Sequence, residues 1–251
     1  IAGNGWYNFQ PHAGFHTAPW RKRPRFCLNL RLTYQDGFTE VISTNTTNWK
    51  TTTLGPIVSN NIYTGEHYDA TKEMPDWNTP HFDDSNWSTP LEEAAPSKNI
   101  VSQVLQPIKN VEEVPAKKIT KFSDTNYIYD LGRNISGITK FTIKGERGTT
   151  VNLIHSELVD SKGHADLSNI NNFYKPVDES DPFQTDIYIL SGSDNTFTPR
   201  FNYKGFQYIE IVSDKPITLA LENLTGYFMH SDVPPQGQIK TSNPTLNKLW
   251  W

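Results

Sequence analysis

The chain has 251 residues, a formal net charge of −4, one cysteine, and 35% hydrophobic and 12% aromatic residues. That length and apolar content suffice for one large or two ordinary domains with real cores, while the dispersed charge supplies no basic footprint for nucleic acid or an anionic membrane. A lone Cys27 rules out an internal disulfide, and no apolar run approaches the roughly 18 residues of a membrane helix.

In chain order, the first block opens with Gly3-Asn-Gly-Trp-Tyr7 and a His-, Pro- and Arg-rich loop, followed by an alternating strand over 26–34. Asp36-Gly37 marks a turn and 38–43 reads as the returning strand of a hairpin. From Thr44 the composition turns polar, with Trp49, Trp77 and Trp87 recurring among Asn, Thr, Asp and Pro, which predicts irregular loop pinned by aromatic anchors. The stretch 88–120, with its prolines and a short apolar strand expected around 100–105, reads as a linker or crossover between domains.

The second block offers strands at 127–131, 135–144, 149–156, 186–190, 200–212 and 217–227, separated by Gly-rich turns. The aromatic and β-branched stretch 185–212 reads as a hairpin-like core segment. Six strands at this spacing, with no useful helical periodicity between them, predict an antiparallel sandwich. At the end, Ser242 or Asn243 can cap a helix, Pro244 suits its first position, and Leu246, Leu249 and Trp250 follow at helical spacing. About eight helical residues are too few to be stable alone, so the chain, which also starts without an initiator Met or signal peptide, is expected to be a fragment or processed product.

Catalytic motifs are missing: there is no phosphate-binding Gly loop, no HExxH, no GxSxG and no cysteine-rich metal motif. His12 and His16 lie four apart, but Pro11 and Gly14 speak against a helix that would present both to a metal. Glu66 and Asp69, among the aromatics of Tyr63-Thr-Gly-Glu-His-Tyr-Asp69, are the most suggestive carboxylate pair. Glycoside hydrolysis needs two carboxylates about 5 Å apart for retention or up to about 9.5 Å for inversion; the plainer reading is that both accept loop amides. Glu157 reads as structural. Asp83-Asp84-Ser85-Asn86 offers oxygen ligands to calcium but lacks the alternating spacing of a calcium loop and reads as a turn. Aromatic faces and planar polar groups suit sugars, and the first block supplies Asn4, Trp6, Tyr63, Glu66, Tyr68, Asp69 and Trp77 as candidate carbohydrate-binding residues. The alternative for such aromatics is sandwich core.

An ordered series of phrases resembles a known family. GNGWY (3–7), the DG turn at 36–37, GPI (55–57), IYTGEHYDA (62–70), the Trp-Asn-Pro-Phe-Asp-Asp-Trp series (77–87), YDLGRNISG (129–137), GTTVNLIHSEL (148–158), DIYILSG (186–192), PRFNYKGFQYIEI (199–211) and SNPTLNKLWW (242–251) are similar, in this order, to the N-terminal part of bacterial α-L-rhamnosidases of glycoside hydrolase family 78. Thr71 stands where that family often has Arg.

The resemblance implies an N-terminal carbohydrate-binding-like β-sandwich, a second sandwich, and then an (α/α)6 barrel that carries both catalytic carboxylates and inverts the anomeric centre. The expectations are therefore an all-β chain of two antiparallel, jelly-roll-like β-sandwich domains at 1–115 and 116–238, with 239–251 starting the first helix of an absent barrel. Catalytic residues, metal and cofactor are expected to be absent. The partners expected are the barrel of the same polypeptide and rhamnose-containing glycans, and a secreted or periplasmic location is favoured. Two other readings stay open: a stand-alone pair of carbohydrate-binding modules, and a small enzyme using Glu66 and Asp69.

Overall fold

A computed structural model describes residues 2–4, 22–95, 97, 99, 101–172, 180–234 and 236–250. Its strands in the first half are β1 (Asn29–Thr33), β2 (Thr39–Ser43), β3 (Ile57–Asn60), β4 (Glu66–Asp69), β5 (Ile108–Pro115), β6 (Lys118–Ser123) and β7 (Asn126–Lys144). There follow β8 (Thr150–Ser156), β9 (Leu158–Val159), β10 (Ala165–Asp166), the short helix α1 (Ser168–Asn171), β11 (Thr185–Ile189), β12 (Asp194–Phe197), β13 (Lys204–Ser213), β14 (Leu224–Ser231) and the helix α2 (Pro244–Trp250). The chain is all-β, of sandwich type, with the C-terminal helix in place. No helix among the described residues is long and apolar enough to cross a membrane.

β1 and β2 form the expected hairpin, in register from Asn29 opposite Ser43 to Thr33 opposite Thr39. The Asp36 carboxylate accepts the Phe38 amide at 2.9 Å across the turn, a side-chain mimic of a backbone turn. The other main element is one large sheet in the order β3-β4-β11-β8-β13-β7-β14-β5, with β6 and β12 also paired to β7. Its pairs are antiparallel except β4 with β11, which is parallel.

Where 127–131 and 135–144 were expected as two strands, β7 is continuous over 19 residues. Phe206 and Tyr208 of β13, two residues apart, face Ile135 and Asp130 of β7, five apart, so Leu131-Gly-Arg-Asn134 bulges out. The Asp130 carboxylate holds the bulge by accepting the Gly132 amide at 2.6 Å and the Gln207 side chain at 2.9 Å. A bulge bends its strand and increases twist, and here the first part of β7 lies between β6 and β13 while the later part pairs with β14 and β12. Gly137 follows the bend. A Cβ there would overlap the carbonyl oxygen of Tyr227 on β14, which is the physical reason for glycine in this motif.

The curled sheet encloses one apolar cluster that includes Tyr129, Leu131, Phe141, Val151, Leu153, Tyr188, Phe197, Phe206, Ile209, Ile211 and Leu224. Side-chain alternation puts these on one face of each strand.

Three expectations are corrected. The 185–212 stretch is not a hairpin, because β8 sits between β11 and β13; both strands are apolar enough for the interior, and the sequence carries no signal for which strand separates them. The 88–120 stretch is not only a linker. It contains β5 and the start of β6, while the strand expected around 100–105 does not form over 101–105. Its strands were hidden because β5 is an edge strand with only Val114 buried, and Lys, Glu and Pro are what edges carry. Finally, the 217–227 strand begins only at Leu224: Ile217 and Leu219 are buried from an irregular segment.

The α2 cap is as read from the sequence. The Asn243 side chain accepts the amides of Thr245 at 2.9 Å and Leu246 at 3.3 Å, ahead of Pro244 at the first helical position, satisfying donors a helix start leaves open.

Candidate functional site

The candidate residues of the first block meet the second block at β4. The turn Asn61–Gly65 is closed by its own side chain, with Asn61 Oδ1 accepting the Tyr63 amide at 2.8 Å and the Asn61 amide donating to Gly65 O at 2.8 Å. The turn then docks on the start of β11: Gln184 N donates to Tyr63 O at 2.9 Å and Thr185 N to Thr64 O at 2.6 Å. Gly65 is needed here, at φ 154°, because a Cβ would overlap the Thr185 carbonyl. On the other edge Asn4 and Asn60 clasp each other, Asn4 Nδ2 donating to Asn60 O at 2.8 Å and Asn60 Nδ2 to Asn4 O at 3.0 Å.

Alternation along β4 separates the two candidate carboxylates. Residues three apart on a strand project from opposite faces, so Glu66 points to the core side and Asp69 away from it. Glu66 is 1% exposed, and its Oε2 accepts the Arg200 amide at 3.1 Å. Burial pushes its carboxyl above the usual range; the backbone N–H of Arg200 works against that, and the nearby Asp186 adds to it. For Asp69, burial also pushes upward, but the Thr71 hydroxyl and amide, at 2.6 and 3.0 Å, and Lys72 outweigh it, and the carboxyl lies below the usual range. Asp69 thereby caps the single helical turn Ala70–Lys72. Thr71 completes this cap with both its amide and its hydroxyl.

Tyr68 packs its ring on Tyr188 and Phe197, with centroids 5.4 and 5.9 Å away, and its hydroxyl donates to Glu73 at 2.9 Å. Burial, then that carboxylate, raises its pKa far above the ordinary tyrosine value. Trp77 stands apart: it follows the turn after Met74 and is 47% exposed. Trp6, like His12 and His16, lies outside the described residues. Thus Asn4, Tyr63, Glu66, Tyr68 and Asp69 share one junction, and Trp77 does not join it.

Sequence reasoning missed the charged interior beside Glu66. Asp186, on the core side of β11, forms an ion pair with Lys204 at 2.7 Å, and both side chains are almost completely buried. The same oxygen accepts the Glu66 amide at 2.8 Å, and Lys204 also donates to Asn202 Oδ1 at 2.5 Å. The second Asp186 oxygen makes no hydrogen bond among the described residues and faces His155 Nε2 at 4.0 Å. His155 is fully buried between Thr139 Oγ1, 3.1 Å from Nε2, and Gln184 O, 3.2 Å from Nδ1. The carbonyl requires a donor, so Nδ1 carries the proton and Nε2 accepts from the hydroxyl. Burial, followed by the Lys204 charge, pushes the His155 pKa down to about 4. The available signal was a charge on the apolar face of an alternating strand, Asp186 beside Ile187-Tyr188; its partner was not readable.

On the opposite sheet face, Glu210 accepts the Asn126 side chain at 2.8 Å, His164 Nδ1 at 2.7 Å and the Ala165 amide at 2.8 Å. This ties the β9–β10 excursion down, with the His164 ring stacked on Phe122 at 4.1 Å. Glu157 accepts Asn169 at 3.2 Å. Asp83 accepts the Ser85 amide, and Asp84 pairs with Lys50 at 2.7 Å. Among the described residues, no group of three or more His, Cys, Asp or Glu side chains is arranged to hold a metal.

Two family models match the chain: the alpha-L-rhamnosidase N-terminal domain over residues 1–112, and the bacterial alpha-L-rhamnosidase concanavalin-like domain over residues 120–230. An alpha-L-rhamnosidase of Streptomyces avermitilis is 34% identical over 98% of this chain and 23% of its own length; one from Alteromonas sp. is 30% identical over 100% of this chain and 26% of its own. The crystal structure of the Streptomyces avermitilis alpha-L-rhamnosidase complexed with L-rhamnose superposes with a TM-score of 0.78 at 33% identity, covering 98% of this chain and 23% of that one. The alpha-L-rhamnosidase of Dictyoglumus thermophilum gives 0.76 at 32% identity, over 88% and 24%. The chain thus spans about a quarter of the length of these relatives.

Proposed function

The chain belongs to the bacterial α-L-rhamnosidase family as its N-terminal region, and on that footing we propose that it is the non-catalytic β-sandwich portion of a longer glycoside hydrolase. It braces a linked helical catalytic domain, an (α/α)6 barrel, that removes terminal α-L-rhamnose from exported or external glycans by direct attack of water with inversion. In this reading 1–115 and 116–238 are its two units, joined because β3, β4 and β5 of the first add to the sheet of the second, and 239–251 leads into the barrel.

The observation that carries the reading is the asymmetry of coverage, 98–100% of this chain against 23–26% of the relatives' length. Local chemistry agrees with it. Glu66 and Asp69 point to opposite faces of β4 and bind the chain's own backbone, so they are not placed to flank one glycosidic bond. The test is release of rhamnose from an aryl α-L-rhamnoside by the full-length protein and by residues 1–251. Turnover by the full-length protein alone is expected; turnover by residues 1–251 overturns the assignment.

The half-exposed Trp77 favours a second reading, glycan binding by the first block through an aromatic face. Saturable calorimetric binding of L-rhamnose that disappears in Trp77→Ala supports it, and no heat at millimolar sugar ends it.

A further inference from the structure

The molecule carries an uncharged apolar strip where the polypeptide leaves the sheet. Residues 101–107 run without strand partners up to β5, whose first residue Ile108 faces Ser231 at the end of β14, and the Asp232 amide donates to Pro107 O at 2.9 Å. Val104, Leu105, Pro107, Ile108 and Val233 line an open groove of about 670 Å³ together with neutral polar residues. Val104 and Leu105 are 89% and 78% exposed, far from the environment such side chains favour.

The lining has no aromatic ring and no charge, so it offers a sugar no stacking face, only the carboxamides of Gln103 and Gln106 as polar partners, and no cation to a phosphate. It suits the apolar stripe of a helix. The occupant follows from continuity. Val233 belongs to the groove and the next ten residues lead to α2, which leaves Leu246 and Leu249 exposed, while the relatives continue to about four times this length.

Resting on the reading above, we propose that this strip is the seat of the helical polypeptide that continues α2 in the full-length protein. Docking there buries Val104, Leu105 and Val233 and fixes the catalytic domain against the β5–β14 edge.

Hydrogen exchange on the full-length protein tests it. None of the amides from Val101 to Gln106 donates a main-chain hydrogen bond to a described residue, so an unoccupied strip exchanges at the rate of an unstructured chain. A docked one slows it by about tenfold or more at Gln103, Val104 and Leu105. In a V104S/L105S/V233S variant the protection is expected to vanish locally while β7 and β13 stay protected. These positions are exposed here, so the substitutions leave the sandwich itself intact. Unprotected amides in the wild-type protein, or protection unchanged in the variant, overturn the proposal. A full-length protein that fails to turn over rhamnosides sinks the functional reading alone, since the exchange result is read independently of activity.

Discussion

The β1–β2 hairpin and the β7–β13 pair are written in the same alternating language, yet one stays at the surface and the other forms the interior. Leu30, Val41 and Ile42 remain 40–57% exposed, while Phe141, Phe206, Ile209 and Ile211 are at 0%. The difference lies in neighbours. Among the described residues β1 and β2 pair only with each other, whereas β7 and β13 have partners on both edges and a second wall of the curled sheet across the core. Alternation specifies a strand with one apolar face; what covers that face decides how much energy the pattern yields.

The largest effect expected from breaking this contrast is at Gly137, where β7 and β14 approach too closely for a Cβ. Gly137→Val should cost more than about 4 kcal/mol or prevent folding, read as loss of the cooperative urea transition. Next comes the interior itself: Phe141→Ala should cost about 3–5 kcal/mol, and Lys204→Met a similar amount, because it strands the buried Asp186 charge. Asp186→Leu combined with Lys204→Met should recover most of that loss; a double variant no better than the single one would show that the pair contributes more than relief of an unpaired charge.

A pH series sharpens the comparison in the middle of the range. His155 is neutral in the folded state, with its pKa pushed down to about 4 from the usual 6.5. The unfolded chain therefore binds the extra proton first as pH falls. The corresponding stability is complete above pH 6.5 and is lost toward pH 4, on the order of 3 kcal/mol in all. Chemical denaturation between pH 7 and 5 should show that slope in the wild type and a flatter one in His155→Gln. For Glu66 the shift is upward, so its contribution is present at low pH and lost as pH rises through its folded pKa. Glu66→Gln keeps an acceptor for the Arg200 amide and is expected to leave stability at neutral pH unchanged or slightly raised. A large destabilisation would show that the charge itself holds the junction. The smallest effect is expected at the surface: Leu30→Ala should change stability by no more than about 0.5 kcal/mol. A larger value would mean that the hairpin face is covered in solution.

The candidate site was legible only in part. Glu66 and Asp69 stood out as carboxylates among aromatics, and acceptance of local amides, the plainer of the two readings, describes Asp69 with Thr71, whereas Glu66 accepts the distant Arg200 amide. Their opposite orientation follows from a spacing of three once β4 is known to be a strand, but that stretch read as irregular loop because four residues are too few to establish a period. Asp186, Lys204 and His155 come together from three strands, at separations of 18 to 49 residues, and nothing local marks a charge as one half of a buried pair.

By itself the sequence determined the strand-rich class, the Asp36-Gly37 hairpin, the Asn243-Pro244 helix start and the likeness to one family, because turn chemistry, capping and a period of two act over a few residues. Only the tertiary structure decided that β8 separates β11 from β13, that β4 joins β11 in parallel, that β5 forms an edge and that Glu66 lies in the core. Strand partners and register are chosen by which faces bury together, and that choice is made between residues far apart in the chain.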